Sequence, residues 1–229
     1  VELDGALLLD CEAARRDELI KRLSMYKLRA KVTLASSELG IIAAFGDDAA
    51  ATLGLPAEAG RAHEFAGGMA YVDPRNAEAG VRIVAAVDAA ETALDAAGLR
   101  HTDFSAYDAM RMKLGLPDSG RDMVAEKALL LELGFDALNG VDFDKGCYVG
   151  QEVTTRMKRR DLVKKLLMPV SIQGEAPEAG TKILRGEIEA GELRTSRDGV
   201  GLALLRLDMA DGQEGLMAGE ARITPRRAS

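Results

Sequence analysis

The segment Lys145-Gly146-Cys147-Tyr148-Val149-Gly150-Gln151-Glu152 sets one of only two cysteines behind a lysine and a glycine. It stands at the start of what reads as a short helix running into a basic stretch. A helix N-terminus and nearby cations both favour a thiolate over a thiol, and the thiolate is the form that attacks electrophiles and binds metals. Lys145 is the nearest cation, and Arg156, Lys158, Arg159 and Arg160 widen the positive field. The plainer reading makes Cys147 a small buried hydrophobe with a chance lysine beside it. Glycines on both sides of Cys147-Tyr148 argue for a backbone bent for close approach, which packing alone rarely requires. Cys147 is therefore expected to be a reactive thiol and Cys11 an ordinary one.

A second set of candidates lies upstream. Thr102 or Asp103 can cap a helix reaching to about Leu114, ended by Gly115 and Pro117. Tyr107 and Arg111 are four apart on it and share a face. Such a pair suits a flat ring on the tyrosine and a carboxylate on the guanidinium; the alternative is an exposed helix with an ordinary side-chain contact. Asp122 to Leu133 reads as mostly helical. Within its apolar run Leu129 to Leu133, Glu132 either faces water or is buried to accept hydrogen bonds from a ligand, because an unpaired buried charge is too costly to keep.

These residues need a frame. Ala6 to Asp10 reads as a strand, about Cys11 to Tyr26 as a helix with Leu19, Ile20 and Leu23 on one face, and Arg29 to Ala35 as a half-buried alternating strand. Further strands are expected at Ile41 to Phe45, Met69 to Val72 and Val81 to Ala86. A short helix is expected at Asp47 to Leu53, and a longer one from a cap at Asp88 to Ala97. From Leu162 the texture changes. Short strand-like runs at Lys164 to Val170, Lys182 to Leu184, Glu192 to Thr195, Val200 to Leu205 and Glu220 to Thr224 are separated by glycine turns, the pattern of a small antiparallel barrel. The fold class is thus α+β, mixed sheets with helices over residues 1–161, followed by a small C-terminal β-barrel over 162–229.

Composition bounds the chemistry. At 229 residues and 47% apolar content the chain can bury a sizeable core, but aromatics are 4% with no tryptophan, so packing rests on Ala, Leu, Val and Met. A net charge of −7 argues against general nucleic-acid binding. The local basic cluster Arg156 to Lys165 is either a solvated helix face or a site that attracts an anion. Two cysteines far apart and two histidines, His63 and His101, do not supply an ordinary four-ligand iron–sulfur or zinc site. Nor do they make a disulfide framework, which suits a reducing compartment. No run approaches the ~18 apolar residues of a membrane span, and no signal peptide is visible.

The string Lys-Gly-Cys-Tyr-x-Gly-Gln-Glu resembles the signature of the YgfZ branch of the aminomethyltransferase (glycine cleavage T-protein) superfamily. The resemblance extends to Tyr107, Arg111, Gly115 and Pro117, to Glu132, Leu138, Asn139, Gly140, Val141 and Phe143, to Asp73-Pro74-Arg75 with Gly80 and Arg82, and to Gly201 through Arg206. It covers nearly the whole chain. Two departures stand out: the family's first strands and their loop, a wall of its folate pocket, precede Val1, and Ala128-Leu129-Leu130-Leu131 replaces the usual Phe-Pro pair before Glu132. The resemblance implies an aminomethyltransferase-like body that binds tetrahydrofolate at Tyr107, Arg111 and Glu132. It assigns Cys147 as the functional nucleophile or transient metal or sulfur contact, with Lys145, Gly146, Tyr148, Gly150, Gln151 and Glu152 as its motif. It implies an accessory role in assembling or repairing 4Fe–4S proteins, with assembly factors or client proteins as partners. The compartment would be the cytoplasm of a bacterium or the mitochondrial matrix of a eukaryote. The competing readings are a one-carbon transferase like the T-protein, which needs a carboxylate near the attacking nitrogen of folate, and a binding module without reactivity.

Overall fold

Short β-prone runs punctuated by glycines build a two-stranded hairpin, a four-stranded sheet and a closed barrel among the described residues. The computed structural model describes residues 1–124, 127–148, 150–210 and 215–226. The chain divides into two compact units, Val1–Val72 with Gly80–Arg100, and Asp73–Ala79 with His101–Ser229. The body-to-barrel boundary expected at residue 161/162 is a different division, since the second unit takes in helical elements as well as the barrel.

In the first unit a hairpin of β1 (Glu2–Leu3) and β2 (Ala6–Leu7) precedes helix α1 (Arg16–Tyr26). There follow β3 (Gly40–Ala44), α2 (Ala49–Thr52), β4 (Ala62–Phe65), β5 (Gly68–Val72), β6 (Val81–Ala85) and α3 (Val87–Ala96). The four longer strands form an antiparallel sheet in the order β3-β6-β5-β4. Its core is Ala70, Val72, Val81 and Ile83, fully buried, with Ala90 and Leu94 of α3. Three local expectations fail here. The strand at Ala6 to Asp10 is only the two residues of β2. Arg29 to Ala35 forms no strand: it has the alternation but no neighbouring strand to pair with, and all but Leu34 is exposed. Asp88 does not cap α3; Ala86 holds that position, and Asp88 sits in the first turn, where its charge complements the helix dipole.

In the second unit α4 (Phe104–Lys113) is capped by Asp103, whose carboxylate accepts from the N–H groups of Ser105 (2.9 Å) and Ala106 (3.3 Å). Helix α5 (Gln151–Arg159) precedes β7 (Lys165–Gln173), β8 (Lys182–Arg185), β9 (Ile188–Arg197), β10 (Val200–Arg206), α6 (Leu207–Ala210), β11 (Leu216–Ala218) and β12 (Ala221–Pro225). The strands close into a barrel in the order β10-β7-β12-β11-β8-β9. Val170, Ile172, Ile183, Leu193, Leu205, Leu216 and Ile223 are among the buried residues of its core. The three-residue β11, between Gly215 and Gly219, is too short to carry a sequence signal, yet it supplies the pairing between β8 and β12.

A second apolar cluster joins Met112 of α4, Leu133, Leu167 of β7 and Leu202 of β10. It explains why Asp122 to Leu133 is not the expected helix. Its described residues make successive turns, with Leu133 buried in that cluster and the backbone N–H of Leu167 donating to the Glu132 carbonyl at 2.7 Å. Tertiary packing overrides helix propensity in this stretch. The α+β architecture with a closed C-terminal barrel is the one expected from the sequence.

Barrel closure sets a size limit at Gly191. A Cβ there would lie 2.2 Å from the Leu204 carbonyl oxygen and 2.8 Å from a methyl of Leu205. Gly191→Ala should therefore destabilise the protein by about 1–3 kcal/mol, the usual range for overpacking a tight interior, as read from urea unfolding monitored by circular dichroism.

Candidate functional site

The charged core of the second unit is built around Arg111, which is 3% exposed. Its Nε donates to Asp108 Oδ1 at 2.7 Å and its Nη1 to both Asp122 Oδ2 (2.7 Å) and the Leu116 carbonyl (3.0 Å), while Nη2 donates to Thr195 Oγ1 of β9 at 3.2 Å. Asp108 also accepts from Arg121 and Arg197, and Thr195 donates to Asp122 Oδ1 at 2.7 Å. Burial alone would push the Asp108 carboxyl up, but hydrogen bonds from Arg121 and Arg111 outweigh it and hold it well below the ordinary carboxylate range. Asp118 is lowered too: burial opposes the shift, and Arg121 and the Gly120 N–H overcome it.

This placement corrects one expectation. Arg111 does not present a guanidinium beside Tyr107 to a ligand carboxylate, because four of its five donors are committed inside the protein. Tyr107 is half-buried, its ring 5.9 Å from that of Phe104, and its hydroxyl hydrogen-bonds Arg75, which clamps Asp73 with a 2.6 Å contact.

Glu132 lines a cleft of about 100 Å³. Asp122, Lys127 and Arg194 are its other polar walls, and Val124, Ala128, Leu129, Leu133 and Leu204 its apolar ones; Tyr107, Arg111 and Cys147 do not line it. Burial pushes the Glu132 carboxyl up, and Lys165 pulls it partly back. Arg194 gives one Nη to Glu192 at 2.7 Å, while its Nε is buried with no hydrogen-bond partner among the described residues. Asp122 is common to the cleft and the charged core, so Arg111 acts behind the wall by fixing one of the cleft's carboxylates. Asp122, Lys127 and Arg194 were not singled out from sequence. For Arg194 a signal was there: it follows the fully buried Leu193 along β9, so it belongs on the outer face of the barrel.

Cys147 is exposed. The expected helix exists but begins at Gln151, so the thiol precedes it in a loop and does not sit on its first turn. An Asp142 side chain accepting from the N–H groups of Asp144 (2.8 Å) and Lys145 (3.1 Å) shapes the approach. The Lys145 Nζ lies 4.6 Å from the centre of the Tyr148 ring, and the Gln151 side chain accepts from the Tyr148 N–H at 3.2 Å. Gly150 adopts the left-handed conformation that glycine favours (φ 89°), whereas a Cβ on Gly146 would meet nothing within 4 Å. Of the two bracketing glycines, only Gly150 is required by backbone geometry. Glu152 pairs with Arg156 at 2.7 Å on the outer face of α5. Val149 lies outside the described residues.

Comparison with known proteins adds three findings. Residues 164–229 match the family described as CAF17, C-terminal beta-barrel domain. The chain is similar to the mitochondrial iron-sulfur cluster assembly factor IBA57 of Mus musculus, 34% identical over 228 residues, which is 95% of this chain and 61% of that protein. It is also similar to the IBA57 homolog of Neurospora crassa, 32% identical over 81% of this chain and 45% of the relative. It thus spans about three-fifths or less of the length of these curated relatives. The crystal structure of the glycine cleavage system aminomethyltransferase T from Bartonella henselae superposes with a TM-score of 0.72 at 16% identity, covering 94% of this chain and 66% of that one. At that identity the likeness is one of fold.

Removing Arg111 would leave Asp108 and Asp122 as buried charges short of a partner. Arg111→Ala should cost about 3–5 kcal/mol in denaturant unfolding. Because Asp108 and Asp118 are lowered in the folded state, the stability they supply is present above their unfolded value near pH 4 and is lost as pH falls below it. The parent should lose stability steeply below about pH 4, and Arg111→Ala should flatten that acid limb.

Proposed function

We propose that this chain is an accessory factor for the assembly or repair of 4Fe–4S proteins, of the YgfZ type, which binds tetrahydrofolate at the Glu132 cleft and acts through the thiol of Cys147. The observation that carries the reading is the pairing, in one unit, of an exposed thiol beside a cation-rich helix with an apolar cleft walled by carboxylates. The relatives matched along nearly the whole chain are iron–sulfur cluster assembly factors, which supports the same reading. The cluster is cargo, and its partners are assembly factors or client proteins. The compartment is the mitochondrial matrix in a eukaryote or the cytoplasm in a bacterium.

The cleft's lining suits the edge of a pterin ring, and at about 100 Å³ it would take only that part of a folate. A reduced pterin offers N–H donors to Glu132, and its flat faces suit Leu129, Leu133 and Leu204. Its anionic tail suits Lys127 and Arg194, whose buried Nε still has a donor to give. Arg111 supports this site from behind through Asp122. A one-carbon transferase reading gains nothing from the T-protein likeness, since fold does not fix activity.

Two substitutions test the two halves. Glu132→Gln should weaken tetrahydrofolate binding by about 1.5–3 kcal/mol in calorimetry, the range for a hydrogen bond to a charged group. It should do so without loss of stability. A raised carboxyl favours the folded state below its unfolded pKa and opposes it as pH rises through the folded value, so at neutral pH the amide removes an unfavourable charge. An unchanged affinity removes Glu132 from the site. Cys147→Ala should melt within a few degrees of the parent, a change of about 1 kcal/mol or less. It should nevertheless fail to restore 4Fe–4S enzyme activity in cells lacking the endogenous protein; full rescue would overturn the thiol's role.

A further inference from the structure

Between Lys145 and Lys165 the charge of the chain inverts. Seven basic side chains stand against two acidic ones, in a protein whose net charge is −7. Some of this charge is used internally: Arg156 pairs with Glu152, Lys158 with Asp136, and Lys145 sits on Tyr148. A helix C-terminus also welcomes one or two cations. Lys165 is half-buried and its charge acts on Glu132, which leaves Arg159, Arg160 and Lys164, exposed and with no ion-pair partner among the described residues. Arg159 closes the last turn of α5 and Arg160 is its C-cap, where the dipole accounts for one or two cations, whereas Lys164 lies beyond that reach. Val153, 54% exposed, shares its side of α5 with Arg160, and Leu162, 42% exposed, follows two residues after that arginine.

Unpaired arginines next to exposed aliphatic groups have the composition of a protein-binding surface, where apolar anchors exclude water around charged contacts. Single-stranded nucleic acid would need a series of aromatic platforms for its bases, whereas the one exposed ring that the described contacts place against α5 is Phe143, beneath Lys158. A long polyanion or an anionic membrane would also meet the negative remainder of the molecule. A compact acidic protein need cover only the patch. Helix α5 is about 14 Å long, and the three residues from Gly150 back to Cys147 add at most about 10 Å. The thiol and the two arginines at the end of α5 therefore fit beneath one partner, because a standard footprint of roughly 800 Å² is about 30 Å across.

We propose that the face formed by Arg159, Arg160, Lys164, Val153 and Leu162 docks an acidic protein surface and presents it to Cys147. The proposal rests on the functional reading above, whose thiol it supplies with a partner of defined charge. An acidic partner would arrive by electrostatic steering, with apolar contact holding it while chemistry occurs at the thiol.

The test measures capture at Cys147 in the Cys11→Ser protein. The probe is a 14-residue peptide of Glu, Leu and Ser whose terminal cysteine is activated as a thionitrobenzoate disulfide; a second peptide carries Gln for Glu. The Cys147 thiolate attacks the peptide sulfur, the mixed disulfide forms, and thionitrobenzoate leaves as the released thiolate, so absorbance gives the rate. At low salt the Glu peptide should be captured about tenfold or more faster than the Gln peptide, a modest case of electrostatic steering. Molar salt should abolish the advantage, and so should the triple substitution R159E/R160E/K164E. Equal rates for the two peptides, or an advantage that survives the triple substitution, would overturn the proposal. If the triple variant does not fold, the salt dependence of the unsubstituted surface decides. A 14-nucleotide uridine oligomer or phosphatidylserine vesicles that block capture better than the free Glu peptide at equal charge would overturn the assignment to a protein partner. The assay contains neither folate nor cluster, so its outcome is independent of the complementation and calorimetry that test the functional reading.

Discussion

The second unit depends on one buried guanidinium. Arg111 ties α4 to the turn at Leu116, to Asp122 in the cleft wall and to Thr195 in the barrel, so three parts of the chain share one set of charge-assisted hydrogen bonds. Buried charges are tolerated only when their donors and acceptors are matched. Here the matching is close: Arg121 and Arg197 donate to the remaining lone pairs of Asp108. An apolar seam of Met112, Leu133, Leu167 and Leu202 runs through the same unit and fixes the distance between helix and barrel.

That framework explains how a carboxylate can sit at Glu132. Its backbone carbonyl is held by Leu167 of β7, and its side chain is left partly desolvated with only distant help from Lys165. The position is poor for stability and good for accepting hydrogen bonds, the usual opposition at a binding site. The thiol of Cys147 is placed by contrary means. Its loop is shaped by an Asp142 turn, a lysine on a tyrosine ring and a glutamine reaching back, and the sulfur itself remains in solvent.

The sequence was most legible where structure is local. Glycine-spaced β runs located five of the six barrel strands, the α4 cap was narrowed to Thr102 or Asp103, and the basic run after Cys147 marked α5. It misled where a pattern needed a distant partner. Arg29 to Ala35 alternates like a strand but has no neighbour to pair with. Leu129 to Leu133 reads as helix, yet the barrel claims its backbone and its leucines. Arg111 looked like a ligand-facing cation because Asp122 and Thr195, its committed partners, lie 11 and 84 residues away. Helical spacing reports which face a residue occupies and says nothing of what covers that face. Glu132 was legible for a physical reason: a lone carboxylate within an apolar run demands an explanation in any fold.

The charged core also bears on how such proteins can diverge. Residues 164–229 are recognisable as a barrel in their own right, and a closed barrel has no open edge strands to protect. By that criterion it is a module that recombination could exchange. Yet Thr195 and Arg197 of the barrel complete the coordination of Arg111 and Asp108, which lie more than fifty residues before its first strand. A crossover near residue 164 would bring in a foreign β9 and strand a buried ion pair. The inheritable unit is therefore α4 together with the barrel, and the two are constrained to evolve as one piece.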